Sequence, residues 1–543
     1  MATKSSENQE KPVTCRYSLL DEPLIGTRLA ANGQPRAFTL PGLLVALQRD
    51  EVRDFPALRP HQRHPWHAFL VQLAAIALHR AETSEPFTDE AAWRDALLAL
   101  TPDDPDGTAW CLVSPPDRPA FMQSPVPGEA IEKWTNRLVA PDELDMLVTS
   151  KNHDLKAARM SSSRPEDWLL ALISLQTQDG AMGAPNKAIS RVNSGYSCRC
   201  AVGAVPKGNW GRRWRRDIAV LLEHREETIE LYGLRQDGIS LVWMVPWDGR
   251  NSLSFDALDP FYIEICRRVR LKACDSDIVA YATGSKVERI NAKQLKGVTG
   301  DPWIPIHIDK DVSALNIGSG GFNYRLSSKL VFGSGTYRQA TAQALREDDG
   351  AEGIVILAQG VARGQGKTEG YFERRIPLSN KIRKMMIRHQ TDQLAARASQ
   401  RVDSIGQMRN VLRSALVLLF ENGNEKKEDR EKKQANAKAA SYLRGFEAGE
   451  DHRFFTDLNI EIEADDPDQA RLDWLVALAQ RAEALLKSAF KTGPRNNEQR
   501  YRARAAALSR FHGTLRGEKS PLPDLANYYR KQKQQKETAD DAA

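Results

Sequence analysis

Cysteine is scarce in this sequence. Six thiols among 543 residues, with no CxxC pair, leave no structural zinc framework, and a chain of this length needs no disulfides to bury a core. Cys198 and Cys200 could share one face of a strand; two buried small residues are the plain reading, a metal or redox pair the alternative. Long apolar runs are missing too. None approaches the roughly 18–20 residues of a membrane span, and the opening MATKSSENQEKP is polar, without the apolar stretch of a signal peptide. The expectation is a cytoplasmic protein with no membrane partner. Charge of one sign is not in excess: 77 Lys and Arg stand against 71 Asp and Glu, a net +6. Where the charge sits therefore says more than its sum. There is no GxxxxGK[ST] phosphate loop, no GxSxG elbow, no HExxH and no HNH-like cluster. These motifs point to no enzyme class and to no cofactor.

What is present is an ordinary globular composition, 41% hydrophobic and 27% charged, long enough for about three domains or one large domain with a smaller one attached. The N-terminal region mixes short extended runs, Tyr17–Leu20 and Leu24–Thr27, with helices. Pro41–Leu47 reads as a helix that opens on a proline, which a first helical turn accepts. His67–His79 is apolar nearly all round, as a helix buried in a large core would be, and Ala91–Leu100 adds another. Proline, aspartate and glycine between 101 and 130 disfavour helix. Residues 151–166 read as a long mobile loop, and Trp168–Leu175 as a further buried helix. From 218 to 310 the alternation predicts strands, including Thr228–Tyr232 and Ile239–Val245. Beyond Lys381 glycine and proline thin out and apolar residues recur at helical spacing. Met385–Phe420, Ala440–Leu458, Gln469–Phe490 and Glu498–Leu515 predict a bundle of about four helices. The fold class is thus α+β: a large mixed domain over 14–380 with β-sheets and buried helices, a C-terminal four-helix bundle over 381–530, and disordered tails at 1–13 and 531–543.

Basic residues interleaved with aromatics or glycines carry the functional signal. In KGNWGRRWRR, Lys207, Arg212, Arg213, Arg215 and Arg216 surround Trp210 and Trp214 with no acid between them. The guanidinium fork suits phosphates; a solvated Arg-rich edge with its tryptophans in the core is the competing reading. Residues 361–388 hold eight basic side chains, among them Arg374, Arg375, Lys381, Arg383 and Lys384, against two acids. They open with Arg363-Gly364-Gln365-Gly366-Lys367, where glycines suit a tight hairpin tip that can approach another backbone. An amide on such a tip can address a base edge or wedge between base pairs, with the lysine on a phosphate. An ordinary turn is the alternative. Asp179–Arg199 is a glycine-bearing, nearly acid-free loop whose spacing is not that of a dinucleotide fingerprint. IGSGGFNYR at 317–325 reads as a structural turn. His61, His64 and His67, in HQRHPWH, read as a polar helix start over Trp66 rather than a metal site.

Taken in order, these pieces resemble the CasA family, the large subunit of the type I-E CRISPR surveillance complex Cascade. Ser18-Leu19-Leu20 with Pro23-Leu24-Ile25 is similar to the family's N-terminal strand, and Thr39-Leu40-Pro41-Gly42-Leu43-Leu44 to the helix start after it. Pro119-Ala120-Phe121-Met122-Gln123 resembles the family's PFMQ. Gly180–Gly195 is similar to its glycine loop, Gly364-Gln365-Gly366 with Glu373-Arg374-Arg375 to its wedge hairpin, and the last helices, with Asp451–Phe455, to its four-helix bundle. The likeness spans roughly residues 16–515. Cysteine pairs that some members carry are absent here.

The resemblance implies a non-catalytic subunit of an antiviral, RNA-guided complex. It would place the loop, through Gly180, Gly183, Asn186, Lys187 and Arg191, in the minor groove at the protospacer-adjacent motif of double-stranded target DNA. Gln365, flanked by Gly364, Gly366 and Lys367, would be the wedge. Lys293 and Lys296, in AKQLKG, stand nearest to the family's motif-sensing lysine. Arg212, Arg213, Arg215, Arg216 and the 374–388 cluster would hold phosphates. Partners implied are the CRISPR RNA-containing complex with its other Cascade subunits and a helicase-nuclease that docks on the large subunit. Two other readings stay open: a nuclease or nucleotidyl-modifying enzyme with a dispersed acidic site, and a general RNA-binding scaffold.

Overall fold

The structure, a computed structural model, describes residues 15–145, 162–274, 277–309, 311–333, 335–349, 353–364, 367–424, 429–493 and 497–540. The chain divides into two compact units, one of residues 1–322 and 335–376, the other of 323–334 and 377–543. The class is α+β, and the two units are built on different principles.

In the first unit the Arg63–Arg80 helix is the axis of the core. From His64 to Leu78 every side chain is buried, so the helix needs apolar neighbours all round. It finds them in the helices Pro165–Gln178 and Trp210–Glu223 and the strand Leu258–Ile263. Buried amides bond the irregular chain around it. Gln72 donates to the carbonyls of Phe261 and Tyr262 at 3.2 and 3.0 Å. Gln123 donates to the carbonyls of Leu112 and Phe121 and accepts from the Leu271 amide at 2.6 Å, while Gln176 bonds Met122, Cys266 and Arg267. The Phe121-Met122-Gln123 string is thus core architecture, with Met122 in a left-handed turn at φ 58°.

Among the described residues the strands form seven small sheets of two or three strands. Thr228–Tyr232, expected as a strand, lies instead in the helix Arg225–Tyr232. Glu226 and Glu227 in its first turn and Gly233 left-handed at its end are helix-terminus signals, and they outweigh the alternation of TIELY. Ile239–Val245 is a strand only to Leu241, after which the chain makes a 3-10 turn. The longest strands, Ile354–Gly364 and Lys367–Leu378, lie beyond the region expected to carry the sheets. They form a hairpin whose first strand pairs antiparallel with Ala201–Pro206, Ile354 opposite Pro206 and Gln359 opposite Ala201.

The second unit is helical. Asn380–Ile387 and Thr391–Phe420 break at His389, left-handed at φ 57°. The buried positions Leu394, Ala398, Arg401, Ile405, Met408, Leu412, Ala415 and Leu419 alternate spacings of four and three, a heptad seam. Arg401 sits fully buried in that seam, bonded to Glu461 with its guanidinium 3.9 Å from the Trp474 ring centroid. Asp429–Glu463, Pro467–Ala489 and Asn497–Arg516 complete four long helices. Tyr324–Phe332 joins them: the Tyr324 hydroxyl bonds Glu447 at 3.0 Å and its ring lies 5.0 Å from that of Phe454. A last helix, Pro523–Asp540, runs through residues 531–540, which were expected to fray.

Candidate nucleic-acid interface

The strand period of two decides which residues of the long hairpin act together. Even-numbered side chains of its second strand face one way: Phe372 packs on Gly321, and Arg374 donates to the Phe322 carbonyl at 2.9 Å. Odd-numbered ones face the other way, where Tyr371 and Glu373 bond Gln359 of the first strand at 2.8 and 3.1 Å. Arg375 meets Glu373 at 3.2 Å on that second face. Arg374 and Arg375, adjacent in sequence, therefore do different work. Toward the tip, on the face of Gln359, come Val361 and Arg363. Val361 packs with Cys198 and, around them, Met182 and Tyr371. Arg363 donates to the Ala181 carbonyl at 2.8 Å.

That bond joins the hairpin to the glycine loop. At the loop's neck the chain crosses itself: the Ala181 amide donates to the Gly195 carbonyl at 2.5 Å, and Arg267 to the Gly180 carbonyl at 2.6 Å. A Cβ on Gly180 would lie 2.2 Å from the Ser197 carbonyl, so only glycine fits there. Beyond the neck, Met182 donates to Asn186 and Asn186 to Gly183 at 2.9 and 3.1 Å. The Asn186 side chain returns to the Met182 carbonyl at 3.0 Å. Gly183 is exposed and left-handed at φ 80°, and Lys187 is half-buried. Pro185 rests on Gly284, and its carbonyl accepts from Ser285 at 2.9 Å.

Arg191 is not available to a ligand. It is 1% exposed, ion-paired with Glu264 and Asp301 at 3.2 and 3.1 Å, and stacked 4.0 Å from the Tyr262 centroid. Burial alone would raise the Asp301 carboxyl, but Arg199 at 2.7 Å and Arg191 hold it below the usual range. Arg191 thus anchors the back of the loop instead of lining its front. Against the same stretch packs the turn of Lys293 and Lys296: a Cβ on Gly297 would lie 2.8 and 2.9 Å from Val192 and Arg191 backbone atoms. Lys296, left-handed at φ 48°, pairs with Asp311 at 2.6 Å. Lys293 is exposed.

The arginine-rich helix start splits the same way. Gly211 abuts the Leu47 carbonyl, and the Asp50 carboxylate accepts from the Arg212 amide at 2.9 Å, capping the helix Trp210–Glu223 from another segment. Arg215 donates to the carbonyls of Leu47 and Gln48 that end the Leu40–Gln48 helix. Arg216 is buried between Asp217 and Asp349 at 2.9 and 2.8 Å. A phosphate role for Arg216 is therefore corrected: its charge is spent inside the fold. Arg212 donates to the Lys207 carbonyl at 3.0 Å. Arg213, 12% exposed, lies 3.7 Å from Asp217. Lys381, Arg383 and Lys384 belong to the helix Asn380–Ile387 of the second unit, Lys381 and Lys384 exposed.

Gln365 and Gly366, the tip itself, and residues 146–161, most of the expected mobile loop, lie outside the described residues. Gly364 ends one strand and Lys367 begins the next. Among the described residues no three His, Cys, Asp or Glu side chains cluster as a metal site, and no helix is long and apolar enough to cross a membrane. The three histidines diverge, His61 to Asp145 at 2.7 Å and His67 to Asp217 at 2.8 Å, while His64 is buried without a hydrogen bond. They lie at the helix start expected, with Trp66 buried beside them, but as buried core groups instead of a polar surface. Cys198 and Cys200 are buried as well, which pushes both thiols up to about 12.

The contacts of Arg363 with the loop were missed by sequence reasoning. The signal was parity, since Arg363 shares a strand face with Gln359 and Val361.

No protein-family model and no curated protein matches the chain. Among solved structures it is similar to Cse1 from Acidimicrobium ferrooxidans, with a TM-score of 0.64 at 15% identity over 95% of this chain and 99% of that one. Thermus thermophilus CasA (Cse1) gives 0.63 at 16% identity over 92% and 99%. Thermobifida fusca Cse1 gives 0.58 at 14% over 94% and 98%. Over more than nine-tenths of its length, this chain has the CasA (Cse1) fold.

Proposed function

We propose that this chain is the non-catalytic large subunit of a type I-E CRISPR RNA-guided surveillance complex. In this reading it recognises the protospacer-adjacent motif in double-stranded DNA, helps open the duplex and form the R-loop, and offers a docking surface to a helicase-nuclease. The observation that carries it, in a chain of this fold, is the Arg363–Ala181 bond, which ties the glycine loop to the hairpin that ends in Gly364, Gln365, Gly366 and Lys367. A motif-reading loop and a duplex-opening wedge must act on neighbouring base pairs, and a shared anchor supports that.

The minor groove presents a degenerate code, so a loop of small residues around Gly183 with one lysine tolerates several related motifs. Lys293 suits that lysine better than Lys296, whose ammonium is engaged by Asp311. Sequence is then read by guide pairing, and the protein offsets part of the first unstacking, about 1.4 kcal/mol per base-pair step. The exposed cations Lys381, Lys384 and Arg375 suit sequence-independent phosphate contacts. Cleavage belongs to the docked helicase-nuclease, and the helical unit faces the displaced strand and the small subunits.

Gln365→Ala in the assembled complex tests the wedge. Target opening, read by permanganate footprinting of unpaired thymines, should weaken more than duplex binding; equal losses in both would count against it.

A further inference from the structure

On the hairpin face that carries Gln359 and Arg375 lies a cavity of about 290 Å³. Sheet pleating builds its floor, since Val205, Leu357 and Arg375 lie on it together, and Trp210 and Arg213 from the helix Trp210–Glu223 wall it. Arg63, at the start of the central core helix, completes the lining. Three arginines thus border one cavity.

Their negative partners are few. Asp54, the acid in the lining, is held by Arg28 at 2.8 Å. Arg375 has Glu373 at 3.2 Å and remains 61% exposed. Arg213 approaches Asp217 only to 3.7 Å, and its buried Nε makes no hydrogen bond. Arg63 is exposed and has no ion pair among the described residues. Gln359 uses its amide nitrogen on Tyr371 and Glu373, while its buried Oε1 is left without a donor. Burial, and then the cations Arg216 and Arg375, hold the Arg213 guanidinium below its ordinary range despite Asp217. A bound anion would relieve that crowding. The Trp210 ring meets Phe55 edge-on at 4.8 Å and forms an aromatic wall beside the guanidiniums.

We propose that this cavity binds one phosphate of a single-stranded nucleic acid, clamped by Arg63, Arg213 and Arg375, with the adjoining nucleoside against Trp210. Guanidinium forks match phosphate oxygens, and stacking on an aromatic ring tolerates any base. The volume lies at the small end of ligand sites, about 300 Å³, the scale of one nucleotide and too small for a duplex. At roughly 3.3 Å per residue, Gln359 is about 17 Å along its strand from Gly364. That is about five steps of a strand rising 3.4 Å per nucleotide, so a strand leaving the hairpin tip reaches the pocket. The anion site stands on the cavity alone; the choice of polymer rests on the proposed function.

The test uses the full-length chain without the guide-loaded complex. Binding of a fluorescein-labelled hexathymidylate is followed by anisotropy across a salt series, with dTMP, thymidine, inorganic phosphate and a phosphoserine peptide as competitors. Arg63→Ala/Arg375→Ala, at two exposed positions, should weaken binding at least tenfold and make the log–log salt slope shallower by about 0.7, the value for one phosphate on a single strand. A control, Arg235→Ala, at an exposed position outside the cavity lining, should change neither. dTMP should compete better than phosphate, and thymidine poorly. Unchanged affinity in the double variant with native circular dichroism, or thymidine competing as well as dTMP, would overturn the pocket. A phosphoserine peptide competing as well as dTMP would overturn its assignment to nucleic acid. Motif discrimination is read separately in the assembled complex, so failure here leaves that reading standing.

Discussion

Gly180→Ala is a one-methyl test of the loop's neck. The new Cβ would lie 2.2 Å from the Ser197 carbonyl and 3.0 Å from that of Gly195, both backbone atoms that cannot rotate away. The crossing must open, and with it the 2.5 Å bond from the Ala181 amide to Gly195. Overpacking of this kind costs about 1–3 kcal/mol. For a unit this large, with an unfolding entropy of about 2.1 cal/mol/K per residue, that lowers Tm by roughly 1–4 °C. Gly183→Ala is the comparison. Its Cβ would meet nothing nearer than Pro185 at 3.9 Å, leaving only the left-handed φ of 80°, about 1–2 kcal/mol, to be absorbed at an exposed tip. Both variants are measured by thermal melting and, in the guide-loaded complex, by the ratio of binding to motif-bearing and motif-free duplexes. Gly180→Ala should lower both Tm and the ratio; Gly183→Ala should lower Tm by no more than about 1–3 °C, and a bulky residue there should lower the ratio. If Gly180→Ala melts like the parent and discriminates as well, the neck does not set the loop's geometry and the reasoning fails.

Removing Arg216 takes a buried guanidinium away from Asp217 and Asp349, so Arg216→Ala should destabilise the first unit by about 3–5 kcal/mol; a stable variant with a shallower salt dependence of DNA binding would restore it as a phosphate contact. Burial, with Arg213 next, pushes His67 down from 6.5 to about 4 despite Asp217. The unfolded chain therefore takes up that proton first, and stability is full above pH 6.5 and falls as pH drops toward 4, by on the order of 3 kcal/mol. Denaturant midpoints at pH 7 and pH 4.5 check this, and His67→Gln should narrow the difference between them. Arg363→Ala removes a charged hydrogen-bond donor worth about 1.5–3 kcal/mol from the loop–hairpin junction. Hydrogen exchange should rise at residues 181–186, and unchanged protection there would show that the loop holds itself.

Periodicity was the most legible feature of the sequence. The all-apolar stretch from His67 to His79 announced a helix with no solvent face, and the spacing after Lys381 announced the long helices. Short segments were harder. TIELY alternates like a strand, and its acidic start and closing glycine outweighed that pattern. Arginines were hardest of all, because charge density along the chain says nothing about burial. Arg191, Arg216 and Arg401 each look like surface cations, yet each is neutralised inside by an acid far away in sequence, 110 residues off for Arg191 with Asp301. Arg63, from the histidine segment, and Arg375, from the last long strand, line one cavity through tertiary packing that neither segment announces. Phe121-Met122-Gln123 was legible as a resemblance, and its physical reason, the buried Gln123 amide, needed the fold.

The central claim is that this chain makes a guide-loaded complex sensitive to the bases flanking its target. The direct measurement is binding of that complex, with and without this chain, to matched duplexes that differ only in those flanking base pairs. The account predicts that the chain adds affinity mainly where a permissive flank is present, and that Gly180→Ala removes the added part. Equal added affinity for every duplex, or none, would contradict it.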